Sequence, residues 1–372
     1  MNFTNITNDT DILFSTFNYD TPITALLIVS FALVFLLCII GNSIVCIVII
    51  RTPKLRTVTN YFILNLAVSD LLVAIFCTPF TLVYHVLTEY PFGEVMCKLT
   101  PLVQGISVAA SVFTLLAIAY DRYKAIVFPT ETRMSLRTMK KLLVAVWFFA
   151  VAIMIPHVFN MHLIRHHSGL YHYDFCVEIW PDLMFHKIYT ILLMSLVYIG
   201  PLVFVSYLYG RIVYRIWYRP NPSNDHAAAT GPNHRVRQEE FVGAVPKRRV
   251  RVIKMLILVV VLFTLSWLPL YTLWILHDFV DLPESVRLFI DINIFPAAHW
   301  LAYSNSCVNP LVYGFYNSNI RQKILSIFSR DNTNDRVMNL KKGPIEAHPL
   351  SERNRNRRMS NRRVTIVHET AL

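Results

Sequence analysis

Seven long apolar stretches, at residues 24–50, 60–86, 98–127, 139–159, 187–217, 251–277 and 287–316, decide what this 372-residue chain can fold into. Each is long enough to cross a bilayer as a helix, which takes ~20 mostly apolar residues. In hydrocarbon every backbone N–H and C=O must be paired within the protein, so only helices and closed barrels span. A spanning strand needs only ~9–11 residues, so stretches of this length read as helices. Charged residues make up 16 % of the chain, against roughly 25 % in soluble domains, and they cluster between the stretches. The expected fold class is an all-α membrane protein: a seven-transmembrane helix bundle followed by a short amphipathic eighth helix.

Charge sets the expected orientation. Of 35 Lys and Arg, 31 fall in the first, third and fifth connections, at their helix ends, or in the tail. A Lys/Arg excess marks the cytoplasmic side, so the N-terminus is expected outside and the C-terminus inside. The net charge of +12 is then an inner-surface charge facing anionic lipid and cytoplasmic partners, with no nucleic acid implied. The first 23 residues are polar and lack a basic segment before an apolar core, so the first span is expected to act as its own insertion signal.

The expected domains are a glycosylated exterior segment (1–23), the bundle (24–317) with a disordered third inner loop (219–247), the amphipathic helix (318–329) and a disordered cytoplasmic tail (330–372). Asn2, Asn5 and Asn8 each begin an Asn-x-Thr sequon, which fits an exterior N-terminus. Among the six cysteines only Cys97 and Cys176 fall at or beyond the outer helix ends, where an oxidising exterior lets them pair. The other four read as buried thiols.

Polar groups inside a bilayer are costly and mark function. Here they fall in short strings, at most one to a helix. The first helix carries Gly41-Asn42-Ser43-Ile44-Val45 and the second Asn65-Leu66-Ala67-Val68-Ser69-Asp70. The third ends in Asp121-Arg122-Tyr123, the fourth holds Trp147 and Pro156, and the fifth holds Pro201 and Tyr209. The sixth has Phe263 and Ser266-Trp267-Leu268-Pro269, and the seventh runs from Asn305 through Asn309-Pro310 to Tyr313. Asp70 is the one acid deep in a span, and a lone buried carboxylate needs a proton, a cation or a partner. Pro269 and Pro310 each remove a backbone hydrogen bond and kink their helices, making hinges.

Taken together and in this order, the strings resemble the rhodopsin-like G-protein-coupled receptors over residues ~24–329. The resemblance implies a sodium ion at Asp70, Ser111, Asn305 and Asn309. It implies activation through Asp121, Arg122, Tyr123, Tyr209, Phe263, Trp267, Pro269, Asn309, Pro310 and Tyr313, with helix 6 swinging outward to admit a heterotrimeric G protein. One departure bears on the resting state. Where the family often places an acid that locks Arg122, this chain has Arg249, which would repel it, so a weak inactive lock and basal signalling are expected.

The exterior segments are acidic, which steers cationic ligands. Glu178, Asp182 and Asp278 are candidate partners for a ligand arginine, since Arg binds carboxylates in bidentate geometry. The seventh helix has no lysine for a retinal Schiff base, and Gln104 stands where an amine receptor needs a carboxylate. Thr81, Gln104, Asp278 and His299 resemble the set found in receptors of the neuropeptide Y, neuropeptide FF and RFamide group. That resemblance implies a peptide ending in Arg followed by an amidated aromatic residue. Asp278 would bind the arginine, Gln104, Thr81 and His299 the amide, and Trp267 would sense the aromatic ring. Tyr90 stands where the group usually has Trp. The many exterior histidines match no closed metal site and read as composition.

In the tail, Ser360 and Thr365 each follow an Arg pair, as basophilic kinase sites do, and phosphate there could recruit a regulator such as arrestin. Thr370-Ala371-Leu372 fits the end read by PDZ domains. The rival readings are a receptor for another peptide or a lipid, and a transporter. A transporter needs polar groups on several helices forming a path, and the hinge strings would then go unexplained. No His-Glu-x-x-His or Gly-x-Ser-x-Gly string suggests an enzyme.

Overall fold

A computed structural model describes residues 17–128, 130–168, 171–217, 247–316 and 320–325. The sequons at Asn2, Asn5 and Asn8, Ser360, Thr365, the C-terminal triplet and residues 326–372 lie outside the described residues, as does most of the third inner loop.

Seven helical rods form the bundle. Helix 1 is Thr21–Arg51. Helix 2 is built from Val58–Phe76 and Thr78–Val86. Helix 3 is Gly93–Val127 and helix 4 is Leu136–Asn160. Helix 5 joins Leu183–Leu193 to Gly200–Trp217, and helix 6 is Lys247–Phe279. Helix 7 joins Glu284–Phe289 to Phe295–Tyr316. By length and composition, helices 1 to 6 are each apolar enough to cross a membrane. Helix 7 carries Asn305, Ser306 and Asn309, all buried, so its polar groups face protein.

Helix 3 is the axis. Its apolar window is 61 % buried, against 17 % for helices 1 and 4, and it packs on helices 2, 4, 5 and 6. Helices 6 and 7 pack together, and helices 1, 2 and 7 close the ring on the other side. Large apolar side chains such as Leu36, Phe148, Phe149 and Val203 are exposed. Surface of that kind belongs in lipid; in water it would be an aggregation hazard.

Proline shapes the rods in three places. Pro79 cannot donate to the carbonyl four residues back, and helix 2 breaks at Cys77 just before it. In helix 5, residues Met194–Ile199 widen into a π turn that ends with the Gly200 N–H on the Ser195 carbonyl. Pro201, with no N–H, comes next. Helix 7 repeats this: Ile290–Ile294 form a π turn, the Phe295 N–H bonds the Ile290 carbonyl, and Pro296 follows. The widened turn shifts the hydrogen-bond register where the proline would otherwise leave a gap.

Two features depart from the sequence expectation. Met161–Ser168 (β1) and Tyr171–Glu178 (β2) pair as an antiparallel hairpin between helices 4 and 5, an addition to the all-α fold. The Cys97–Cys176 disulfide ties β2 to helix 3. Arg165 and Asp174 face each other across the hairpin in a bidentate pair at 2.7 and 2.9 Å; the Arg165 guanidinium holds the Asp174 carboxyl below its ordinary range. Residues 17–20, part of the expected exterior segment 1–23, are docked on the bundle. Asn18 Nδ2 donates to the His85 and Leu87 carbonyls at 3.0 Å each, and the Tyr19 hydroxyl donates to the Ile292 carbonyl. After helix 7, residues 320–325 are helical, with Ile320 fully buried and Leu325 exposed; residues 326–329 of the expected amphipathic helix lie outside the described residues.

Candidate functional site

At the hairpin end the rods diverge around a cavity of about 590 Å³. That lies within the ~300–1,000 Å³ usual for ligand sites. All six side chains expected to bind ligand, Thr81, Gln104, Glu178, Trp267, Asp278 and His299, line it. Five different structural elements deliver them, which is why no local sequence window contains the site.

Asp278, on the last turn of helix 6, keeps only 10 % of its side chain exposed. Its Oδ2 accepts a 2.6 Å hydrogen bond from Thr190 Oγ1 on helix 5, and His186 Nε2 lies 3.6 Å away. The same His186 nitrogen is 3.9 Å from Glu178 Oε1. Glu178 Oε1 also accepts from Trp180 Nε1 at 2.6 Å and lies 3.2 Å from His157 Nδ1. Partial burial alone would push the Glu178 carboxyl up; His157, Trp180 and His186 outweigh it and hold it below its usual range. Asp182, the third candidate acid, does something else. It caps helix 5, its Oδ1 accepting from the Met184 N–H at 2.9 Å.

Around Gln104 the bonds form a chain. Tyr303 Oη donates to Gln104 Oε1 at 2.7 Å and lies 2.8 Å from Thr81 Oγ1. His299 Nδ1 lies 3.0 Å from the Phe295 carbonyl and 3.2 Å from His85 Nε2. Trp267 is buried, stacked on Phe263 with centroids 6.0 Å apart and tilted against Tyr271 at 6.1 Å. Tyr303 was missed in the sequence, and His85 was read only as one of the exterior histidines. Helical spacing carries the signal: Tyr303 is four residues past His299, and His85 four past Thr81, each pair sharing one helix face.

Deeper in the bundle, Asp70 is 3 % exposed and its Oδ2 accepts from Asn309 Nδ2 at 2.9 Å. Asn42 Nδ2 donates to the Ser306 carbonyl at 3.0 Å, tying helix 1 to helix 7. Asn305 is buried beside them on helix 7, and Ser111 is half-buried on helix 3. Asn42 Oδ1, Ser69 Oγ and Ser107 Oγ are buried with no protein partner. A carboxylate with neutral amide and hydroxyl oxygens is the ligand type that hard cations take, and of the residues expected around sodium the structure bonds Asn309 to Asp70.

At the opposite end, Arg122 pairs with Asp121 at 2.9 Å and donates to the Thr59 hydroxyl, while its Nε is buried without a partner. Tyr123 is half-buried beside Phe128. Tyr209 and Tyr313 are buried, the Tyr313 hydroxyl unpaired. Pro269 and Pro310 lie inside helices 6 and 7. Arg249 is on helix 6, its side chain outside the described residues.

A multi-pass helical bundle, a cavity opening at one end and a buried polar core running toward a paired arginine at the other define a membrane receptor. The profile of the rhodopsin-family seven-transmembrane receptors matches residues 41–313, and the chain belongs to that family, whose members are receptors and not enzymes. Within it, the chain is 40 % identical to neuropeptide FF receptor 2 of Mus musculus over 89 % of its length and 78 % of the relative's. It is 38 % identical to neuropeptide FF receptor 1 of Rattus norvegicus over 96 % of its length and 81 % of that relative's. Against the RYamide receptor of Drosophila melanogaster it is 32 % identical, covering 80 % of this chain and 62 % of the relative.

Proposed function

We propose that this chain is a plasma-membrane, G-protein-coupled receptor for a neuropeptide ending in Arg-Phe-amide or Arg-Tyr-amide, with its hairpin end outside the cell and its tail inside. The observation that carries the reading is the cavity itself, with a desolvated, hydrogen-bonded carboxylate at Asp278 and a neutral polar cluster around Gln104 and His299. The names of the relatives point to the same ligand class.

In this reading the ligand arginine binds Asp278, with Glu178 adding negative potential nearby. The carboxamide binds at Gln104, Thr81 and His299, and the last aromatic ring presses on Trp267. Trp267 sits two residues before Pro269, where the missing N–H removes a backbone hydrogen bond and makes a hinge. A tilt there moves the far end of helix 6 outward and frees Arg122 from Asp121 for the G protein, with Tyr209 and Tyr313 holding the open form. A ligand that drives the resting state from 1:99 to 99:1 must bind the active form about 5.5 kcal/mol better. Asp70, Ser111, Asn305 and Asn309 would hold a sodium ion that favours the closed form. Arrestin at the phosphorylated tail and a PDZ domain at the C-terminus complete the proposed partners.

The test is a calcium and cyclic-nucleotide assay in cells displaying the chain, with amidated Arg-Phe and Arg-Tyr peptides beside their free acids. A response to the amidated forms is expected, and Asp278→Ala should weaken it by ~2–5 kcal/mol, the cost of stripping one partner from a buried charge pair. Silence across the panel with the receptor at the surface would overturn the ligand assignment. A response that Asp278→Ala leaves unchanged would remove the role given to that residue.

A further inference from the structure

We propose that His167 and His172, facing each other across the hairpin, form a two-imidazole site for a divalent transition-metal ion, with copper(II) its preferred occupant. The proposal stands independently of the peptide reading. Strand register builds the site. Residues directly opposite in an antiparallel pair keep their Cβ atoms ~4.5–5.5 Å apart, and alternate rungs share one face. The rungs Met161–Glu178, Leu163–Cys176, Arg165–Asp174 and His167–His172 therefore lie on one face of the hairpin. The last brings the two imidazoles together, with Nδ1 to Nδ1 at 2.9 Å and both side chains exposed. In the sequence these are two histidines among many; only the pairing of β1 with β2 makes them partners.

At this distance the two nitrogens share one proton, whichever ring holds it, or each gives a lone pair to a metal. Imidazole is a good ligand for copper, nickel and zinc. With metal–nitrogen bonds of ~2.0–2.1 Å, nitrogens 2.9 Å apart subtend ~90° at the ion. That is the angle between neighbouring ligands of tetragonal copper(II) and nickel(II), whereas tetrahedral zinc would set them ~3.4 Å apart. Copper(II) also stands highest in the affinity order of the divalent series. The neighbouring rung supports the site. The bidentate Arg165–Asp174 pair, at 2.7 and 2.9 Å, holds the strands in register, and the Asp174 carboxylate interacts electrostatically with both rings. Among the described residues no group of three or more His, Cys, Asp and Glu side chains forms a closed metal cage. Water would fill the remaining positions, which makes this an open, exchangeable site.

The experiment titrates copper(II) into the full-length receptor, purified without a histidine tag, and follows it by electron paramagnetic resonance. Wild type should show nitrogen splitting from two imidazoles. His167→Ala and His172→Ala should each leave one imidazole and weaken binding by at least ~10²-fold, since the second ligand of a linked pair binds at high effective concentration. His172→Phe keeps a ring in the cross-strand place without a nitrogen, and should lose binding as His172→Ala does. His166→Ala, on the opposite face of the same strand, should bind as wild type. Thermal midpoints without metal should agree across the set, because both rings are exposed. Wild-type binding no tighter than that of His167→Ala, an equal loss in His166→Ala, or full binding in His172→Phe would each overturn the site.

Discussion

Glu178 illustrates how the rim of the cavity keeps its charge. Its carboxylate touches Trp180 Nε1 and lies near His157 and His186, and these hold it ionised below its ordinary range. A carboxyl with a lowered value contributes its charged-state interactions above that value and loses them only as pH falls through it. Whatever Glu178 adds to peptide binding should therefore persist from about pH 7 down to about pH 5. Affinity measured for wild type and Glu178→Gln at both ends of that window should give the same ratio. A ratio that collapses toward one at the acidic end would mean the carboxyl is protonating early, against the contacts described. Asp278 is held differently, by the Thr190 hydroxyl at 2.6 Å, so the orientation of its free oxygen depends on helix 5.

That dependence makes the π turn of helix 5 the element to test. A Cβ at Gly200 would stand 2.6 Å from the Ser195 carbonyl, the atom that the widened turn brings round to the Gly200 N–H. Gly200→Ala should force the turn to relax, at a cost of ~1–3 kcal/mol typical of overpacking. The segment carrying Thr190 and His186 would rotate with it, and peptide affinity should fall by at least about tenfold. Gly210→Ala, on the same helix with nothing within 4 Å of the added Cβ, should leave affinity unchanged. Within the turn, the Tyr198 hydroxyl donates to the Thr264 carbonyl at 2.8 Å and its ring stacks on Tyr271 at 4.6 Å. Thr264 lies on helix 6 five residues before Pro269, so on the proposed activation path this contact would hold the hinge. Tyr198→Phe removes about 1 kcal/mol from the clamped form. Agonist-free signalling should rise several-fold; no rise at equal surface display would show that the clamp does not bias the hinge.

Below the cavity, buried polar groups among the described residues form two further cross-braces. Asp70, Asn42, Ser306 and Asn309 join helices 1, 2 and 7. Asn65 joins helix 2 to helix 3 through Thr114 and to helix 4 through Trp147, both at 2.8 Å. Gly41 lets helix 1 approach the kink of helix 7, since a Cβ there would lie 3.0 Å from the Pro310 ring. A ligand that binds the folded form alone stabilises it in proportion to RT ln(1 + [L]/Kd). Sodium should therefore raise the midpoint of thermal unfolding of the purified receptor, and Asp70→Asn should abolish the rise. An equal rise in both proteins would assign the effect to ionic strength.

Hydropathy along the chain located the seven rods, six of them apolar enough by length and composition alone to commit to a spanning helix. The family was legible because its polar strings are short, local and ordered. The six candidate ligand residues could be named from the sequence only one at a time and mostly through resemblance, and the fold brings them to one cavity wall. What joins them was not legible. The Tyr303 hydroxyl meets Gln104 and Thr81 from across the bundle, and Thr190 meets Asp278 across 88 residues of sequence. The hairpin, the docking of residues 17–20 and the capping role of Asp182 were likewise settled only in three dimensions. The physical reason is the same in each case. A hydrophobic segment carries its preference in its own composition, whereas a hydrogen bond between helices exists only once packing has fixed both partners within about 3 Å.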